Sequence, residues 1–320
     1  MRVVFAGTPA FAVPCLQALL AADEVEVAGV YTRPDRRAGR GRERRPSPVK
    51  RAAEARGAAV YQPARLGGES EIKRLKRLTP DLLVVVAFGQ LLPAAVLAVA
   101  RLGCINLHAS LLPRWRGAAP IQRAIEAGDP ATGVTLMKME RGLDAGPVLA
   151  SACIPIAARD TAGGLHDKLS RLAARLLADN LPALAAGQLD ATPQDETLAC
   201  HAPKLSPAEA MLDWRLDAVR LERRVRAFNP WPVAFTEVGG MRLRVWRAAV
   251  AEARPAQPGE VLAADAAGIT VATADGALAL TEVQKAGGRA MAAGDFLNGM
   301  TITPGMRCAG AAGAEAKRAP

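Results

Sequence analysis

Residues 82–88 read LLVVVAF, an unbroken apolar run with no polar alternation. A strand with one wet face alternates, so this run is the signature of a central strand of a parallel sheet, covered by helices on both sides. Its surroundings agree. Short β-rich runs at Arg2–Ala6, Val25–Tyr31 and Cys104–Leu107 alternate with helical patterns at Phe11–Ala21, Ser47–Arg56, Ser70–Arg77 and Pro120–Ala127. Ser47-Pro48 is an N-cap followed by proline at the first helical position. Strand and helix in alternation predict a doubly wound, mostly parallel α/β sheet. Gly133–Met139 and Val148–Ile154 add a hairpin, and a long amphipathic helix over Thr161–Ala186 stops at Gly187.

At 320 residues the chain is long for one domain. The pattern changes after position 188. Residues 189–206 show no period and are expected to be a linker between a catalytic domain (1–188) and a second domain (207–308). The second begins with a basic helix, Leu216–Phe228. Five short strands follow, with Gly239-Gly240 and Asp275-Gly276 as hairpin turns. That pattern predicts a small β-barrel of the oligonucleotide-binding type. The tail, 309–320, is expected to be disordered.

Five Cys with no CxxC pair argue against a disulfide framework and a structural zinc site, so a reducing compartment, the cytoplasm, is expected. Residues 3–22 are apolar enough to raise a signal peptide or membrane span, but Pro9 and Pro14 interrupt them and they divide into strand, turn and helix. No membrane attachment is expected. The first strand-turn-helix, GTPAFAVP, keeps only Gly7 of a GxGxxG pattern, which discounts a dinucleotide cofactor.

Lys and Arg number 41 against 31 Asp and Glu, a net +10, and the excess is local. Residues 33–51, RPDRRAGRGRERRPSPVKR, hold nine basic and two acidic side chains. A core cannot take such a density of guanidinium groups, so the stretch is a solvated loop or pairs with anions. It leaves a strand at the carboxyl end of the sheet, where ligands of such folds bind, and a nucleic-acid substrate would suit it.

In CINLHASLLPRWRGAAPIQRAI (104–125), Asn106 and His108 are two apart on a strand and project to one face, at its carboxyl end. Either alone is most simply a locally bonded polar residue. Asp144, in ERGLDAGPV, is by itself a turn residue. His166 and His201 receive no role.

Together with FAGTPAFA, TRPDRRAGRGRERRPSPVK, VVVAFGQLLP, TGVTLMKMERGLDAGPVL and VRAFNPWP, this run resembles the methionyl-tRNA formyltransferases, within the 10-formyltetrahydrofolate-dependent transformylases. The matching pieces run from residue 5 to residue 232. SLLPxxRGxxP is specific to the transformylases; the basic insertion and the C-terminal domain narrow the likeness to the tRNA enzymes. The resemblance implies a formyltransferase Rossmann-like fold, 10-formyltetrahydrofolate as formyl donor, no metal, and initiator methionyl-tRNA as acceptor. Asn106, His108 and Asp144 would be catalytic, the first two donating to the formyl oxygen as it gains charge and Asp144 orienting His108 in a proton-donating form. Ser110, Leu111, Leu112 and Pro113 would line the folate site, with Val86, Phe88, Gly89, Leu91 and Gly142 adding backbone contacts. Arg36, Arg37, Arg40, Arg42, Arg44, Arg45 and Lys50 would meet the acceptor stem, Arg40 foremost. Arg114 and Arg116 could serve the folate tail or tRNA phosphates. Basic residues of the second domain, from Arg215 to Arg247, would support the tRNA body. A monomer is expected. The rivals are a formyltransferase for a small amine, which would need neither the basic stretch nor the second domain, and a non-catalytic RNA-binding scaffold, which would not need the Asn106, His108 and Asp144 set.

Overall fold

The computed structural model describes residues 1–37, 44–252 and 254–310. It divides into two compact units, one of residues 1–120, 131–155 and 166–202, the other of residues 121–130, 156–165 and 203–320.

In chain order the elements are β1 (Arg2–Gly7), α1 (Val13–Ala21), β2 (Glu26–Tyr31), β3 (Arg36–Arg37), β4 (Arg44–Arg45), α2 (Pro48–Glu54), β5 (Val60–Tyr61), α3 (Glu69–Arg77), β6 (Leu82–Val86), α4 (Ala94–Leu97), β7 (Cys104–His108), β8 (Arg116–Gly117), α5 (Pro120–Ala127), β9 (Ala131–Lys138), β10 (Val148–Pro155), α6 (Ala162–Ala186) and β11 (His201–Ala202). The main sheet has the order β10-β9-β7-β6-β1-β2-β5. Pairing is parallel from β7 to β5; β9 runs antiparallel to both β7 and β10. The expected appended hairpin is thus the sheet's own edge. Every residue of β6 is buried, as its composition requires. Val4, Ala6, Leu83 and Val85 pack on one face with Tyr31, Leu75 and Phe88, while Val3, Phe5, Leu82 and Val84 are buried on the other. Residues 3–22, apolar enough to suggest a membrane segment, are an interior strand of the sheet and the helix that follows it. No helix among the described residues is long and apolar enough to cross a membrane.

Local signals place the helices. The Lys50 N–H donates to the Ser47 Oγ at 3.0 Å, capping α2 with Pro48 at its first position. In α3, Glu69 and Glu71 open the helix and Arg74, Lys76 and Arg77 close it, which complements the helix dipole at both ends.

In the second unit, α7 (Ala218–Ala227) is followed by β12 (Phe235–Val238), β13 (Met241–Ala251), β14 (Val261–Asp265), β15 (Gly268–Ala272), β16 (Ala277–Lys285), β17 (Met291–Ala292), α8 (Ala293–Leu297) and β18 (Cys308–Ala309). The strand order is β14-β15-β16-β13-β12-β18, all antiparallel. Its two ends meet: Val261 N–H donates to Met306 O at 2.8 Å and Cys308 N–H to Gly259 O at 2.7 Å. The sheet therefore curls into the expected small barrel. Leu243, Val245, Val271, Leu278 and Leu280 fill it, and Leu221 and Val225 of α7 join the same core.

Candidate active site

Asn106 and His108 end β7, and the register explains why they are together. Asn106 pairs with Val85 of β6 and His108 with Thr135 of β9, so both sit at the carboxyl rim of the sheet, between two loops. Both are nearly buried, with 9% and 6% of their surface exposed. The loops that close over them hold three non-glycine residues with left-handed backbone: Ala87 (φ 47°), Trp115 (φ 66°) and Asp144 (φ 51°). Such conformations are costly and persist where surrounding contacts impose them.

Those contacts are specific. The His108 Nε2 lies 2.9 Å from the Trp115 carbonyl, which can only accept, so the proton of this bond is on Nε2. The His108 Nδ1 is 3.5 Å from Asp144 Oδ2, an ion-pair distance rather than a tight hydrogen bond. Gly117 N–H donates to the same Asp144 oxygen at 2.9 Å. A side chain at position 117 would collide with the Ala202 carbonyl, 2.8 Å from where its Cβ would lie, so glycine is required there. The structure thus gathers Asn106, His108 and Asp144 in one unit. It also modifies the expected geometry, because both ring nitrogens of His108 face protein acceptors. The Asn106 carboxamide, in contrast, makes no hydrogen bond among the described residues.

The segment expected to be a linker holds these loops in place. Arg116 is 5% exposed and is gripped by Gln194 Oε1 (from Nε at 3.0 Å and Nη2 at 2.8 Å) and by both Glu196 oxygens at 2.8 Å. The Glu196 carboxylate beside it holds the guanidinium above its ordinary pKa, and Arg116 in turn holds Glu196 below its own. Gln194 Nε2 donates to Asp144 O at 2.9 Å and Gly146 O at 2.7 Å. Trp115 N–H donates to the Cys200 Sγ at 3.3 Å, and β11 pairs with β8. Arg116 is therefore a structural group, held by the protein rather than open to a substrate. Gln194 is the residue sequence reasoning missed. Its partners lie 48 to 78 positions away, so no local pattern announces it.

The residues expected to meet folate fall on two sides of Asn106. On the β9 side, the Ser110 Oγ donates to Arg114 O at 2.6 Å, Thr135 Oγ1 donates to Ser110 O at 2.7 Å, and Leu112 N–H donates to Thr135 Oγ1 at 3.0 Å. The Ser110 hydroxyl is engaged within the loop, while Leu111, Leu112 and Pro113 remain partly exposed. Leu111 lies over Gly133, where a Cβ would meet the Leu111 Cδ2 at 2.5 Å. Gly142 (φ 117°) turns the facing loop. On the β6 side, Val86 and Phe88 are buried and Leu91 is 88% exposed. Phe88 O accepts from Thr8 Oγ1 at 3.1 Å and Gly89 O from Arg33 Nη1 at 3.0 Å.

The basic stretch forms a hairpin in which Arg36 opposes Arg45 and Arg37 opposes Arg44. Arg40 and Arg42 lie outside the described residues. Lys50 is engaged within the protein: its Nζ is 2.9 Å from Asp35 Oδ2 and only 20% of its side chain is exposed. Asp35 also accepts from Gln62 at 2.6 Å, so Lys50 anchors the hairpin's base. A cavity of about 360 Å³ lies between this base, the turn after β1 and the end of β6, walled by Thr8, Pro9, Arg33, Arg36, Arg45 and Gly89 among others. In the second unit, Arg215, Arg220, Arg242 and Arg247 pair with Asp213, Asp217, Glu237 and Glu282, and Arg224 with Glu126; Arg244 is exposed.

The formyl transferase family model matches residues 1–181, and that of the formyl transferase C-terminal domain matches residues 204–301. The methionyl-tRNA formyltransferase of Nitrosococcus oceani is 53% identical over 307 residues, 95% of this chain and 95% of its own. That of Stenotrophomonas maltophilia (strain R551-3) is 56% identical over 300 residues, 93% of this chain and 97% of its own. Among solved structures, HypX from Aquifex aeolicus in complex with tetrahydrofolic acid superposes with a TM-score of 0.62 at 20% identity, over 96% of this chain and 50% of that one. The sugar 3N-formyl transferase WlaRD reaches 0.66 at 15% identity, over 90% of this chain and 99% of that one. These two carry the fold alone. From the two family models and relatives identical at more than half of the aligned positions along nearly the whole length, the chain belongs to the formyl transferase family, as a member of its methionyl-tRNA formyltransferase branch.

Proposed function

We propose that Asn106, His108 and Asp144 carry out the transfer of a formyl group from 10-formyltetrahydrofolate to the α-amine of methionyl initiator tRNA. The observation that carries this reading is Asn106, a residue only 9% exposed whose carboxamide is unbonded among the described residues at the strand end. Its polar atoms are outside the buried, unpartnered set, so the amide is open to a ligand oxygen. The folate, when bound, supplies the formyl carbon that the amine attacks. The Asn106 N–H then donates to the formyl oxygen as charge develops on it, the oxyanion-type stabilisation that commonly dominates acyl transfer.

His108 fits a second task better than that of a twin donor. Two acceptors, Trp115 O and Asp144 Oδ2, face its two ring nitrogens. A ring that takes up the proton shed by the attacking amine therefore finds a partner for each N–H, and it returns that proton to the folate N10 as the bond from N10 to the formyl carbon breaks and tetrahydrofolate leaves. Because α-amines have ordinary pKa values of about 8, roughly a tenth of the nucleophile is already neutral at pH 7, enough that no stronger base is needed. Leu111, Leu112, Pro113, Leu91 and the turn at Gly142 offer partly exposed apolar surface and backbone groups for a flat pterin. Val86 and Phe88 could contribute through backbone alone, since their side chains belong to the core. The arginine hairpin meets tRNA phosphates. All three proposed catalytic side chains come from one unit of one chain, which is compatible with the expected monomer, and sedimentation at assay concentration checks it.

The test is formyl transfer from 10-formyltetrahydrofolate with charged initiator tRNA, charged elongator tRNA and free methionine as acceptors. Transfer confined to the initiator supports the reading. Transfer to small amines but not to tRNA would overturn it, and no transfer in any arm would place the chain among non-catalytic scaffolds.

A further inference from the structure

We infer that Cys200 is a positioning residue for formyl transfer: its sulfur fixes the Trp115 peptide on one side so that the Trp115 carbonyl can hold the His108 ring on the other. The inference rests on the reading above, in which His108 takes the proton of the attacking amine. Trp115 carries both halves of the contact. Its N–H donates to the Cys200 Sγ at 3.3 Å, and its carbonyl accepts from the His108 Nε2 at 2.9 Å. Its backbone is left-handed, with φ 66°, a state that a bulky aromatic residue adopts only where its surroundings impose it. The next N–H, of Arg116, donates to the Cys200 carbonyl at 2.9 Å. Cys200 therefore holds two successive amides, one with its side chain and one with its backbone. A third contact closes the group. The Arg114 Nη1 donates to the same sulfur at 3.7 Å, and the Arg114 guanidinium lies 4.3 Å from the centre of the Trp115 ring.

The other supports of this loop act on the far side of the carbonyl. Gln194 and Glu196 grip the Arg116 side chain, and Asp144 holds the Gly117 N–H. The Trp115 N–H is the handle on the near side, and the sulfur accepts from it. That sulfur bonds none of Asn106, His108 and Asp144 among the described residues, so Cys200 touches no reacting group and acts through Trp115. A thiol sulfur is a weak acceptor, and its loss should cost the fold little. Orientation is the more sensitive property. A residue at φ 66° relaxes toward ordinary backbone once a support is removed, and the relaxation turns the carbonyl that faces His108. The two consequences separate experimentally, because a melting curve reports the first and the turnover number the second.

The test compares Cys200→Ala, Cys200→Ser and the wild type as full-length enzymes carrying isotope-labelled histidine. The chain has three His, at 108, 166 and 201. His108 is 6% exposed, so its Nε2–H, bonded to Trp115, should give a slowly exchanging imidazole N–H resonance, assigned by its absence from His108→Ala. Expected is that this resonance is lost to fast exchange in Cys200→Ala and retained in Cys200→Ser, whose hydroxyl can accept the same N–H. In step with it, Cys200→Ala should lower kcat about tenfold, with the KM for tRNA and for folate within about twofold and the Tm within about 3 °C. Cys200→Ser should keep kcat within about threefold of wild type. Should Cys200→Ala fail to fold, Cys200→Val, which fills the space without an acceptor, must show the same losses. Absence of the resonance from the wild type, its survival in Cys200→Ala, a Cys200→Ser enzyme as slow as Cys200→Ala, or a loss confined to KM would overturn the positioning role. The resonance needs no turnover. Its loss in Cys200→Ala together with wild-type transfer by His108→Ala would therefore sink the catalytic reading of His108 and leave the hold of Cys200 on the ring standing.

Discussion

Replacing Gln194 by Ala should disable the site without touching any reacting group. The side chain accepts two hydrogen bonds from Arg116 and donates one each to Asp144 O and Gly146 O. The two amide-to-carbonyl bonds are worth about 1 kcal/mol each, and the charge-assisted acceptance from a buried guanidinium about 1.5–3 kcal/mol. Gln194 is partly exposed, so water will refill some of the gap; the net loss should be about 2–3 kcal/mol. For a unit of this size that is a Tm lowered by roughly 5–10 °C. The functional loss should be larger than the thermal one suggests. Asp144 stands at φ 51° and Trp115 at φ 66°, conformations that relax once their supports loosen, and both present the acceptors that face His108. A misplacement of about 1 Å costs roughly a hundredfold in rate. The assay is kcat and both KM values at 20 °C, well below the lowered Tm. A fall of about thirty- to a hundredfold in kcat, with KM for tRNA within about twofold, is expected. Gln194→Glu separates positioning from bulk: it still accepts from Arg116 but cannot donate to the two carbonyls, so its kcat should fall as far while its Tm falls less. A folded Gln194→Ala enzyme with kcat within twofold of wild type would refute the clamp.

Asn106→Ala should lower kcat about a hundredfold or more with an unchanged melting curve, since the carboxamide supports nothing else in the protein; a loss confined to KM for folate would reassign it to binding. The double substitution Arg36→Ala/Arg45→Ala should flatten the plot of log KM for tRNA against log salt by about 1.5, the share of two phosphate contacts, and an unaltered slope would count against hairpin contact with the tRNA. The Asp35 carboxyl is held below its ordinary range by the hydrogen bond from Gln62 and then by that from Lys50. A depressed carboxyl stabilises above its unfolded pKa of about 3.9 and loses that contribution as pH falls through the folded value, so the hairpin base should stay tied from pH 8 to about pH 5 and loosen only in stronger acid. Amide exchange at Arg33, Asp35 and Arg36 followed across pH would show this, and loosening already at pH 6 would contradict it.

What the sequence made legible was whatever depends on neighbours along the chain. LLVVV had to be a doubly covered strand, Asn106 and His108 had to share a face, and Gly239-Gly240 had to turn. Both of those glycines indeed have positive φ, at 56° and 74°. The clamp was illegible for the opposite reason. Residues 194–202 have no period because they are held by side chains far off in sequence, and an aperiodic polar stretch reads as a linker. The pairing of Lys50 was illegible in the same way, since its partner Asp35 is fifteen positions away. Trp115 and Asp144 gave no sign of a left-handed backbone because neither is glycine; tertiary contacts impose it. The meeting of Asp144 with His108 was open to likeness alone, not to spacing.

The rim of the sheet can be sorted by one question: which polar groups already have partners. Arg116, Gln194, Glu196, Lys50, Asp35 and the Ser110 hydroxyl are bonded within the protein, so removing any of them breaks structure before it breaks binding. The Asn106 carboxamide and the buried Arg33 Nε have no hydrogen-bond partner among the described residues, and Arg36 and Arg45 are cross-strand neighbours of like charge. Folding alone does not favour leaving such groups unmatched, because each raises the energy of the free enzyme relative to a satisfied version of the same fold. They lie on one rim of the sheet, with the hairpin arginines and Arg33 on the side of β1 and β2 and Asn106 at the end of β7. A substrate that satisfies all of them at once recovers binding energy only when its amine is next to Asn106. Length and charge of the acceptor would then be read by the same groups that position it, and a small amine, which can reach Asn106 but not the arginines, would be a poor substrate chiefly in KM.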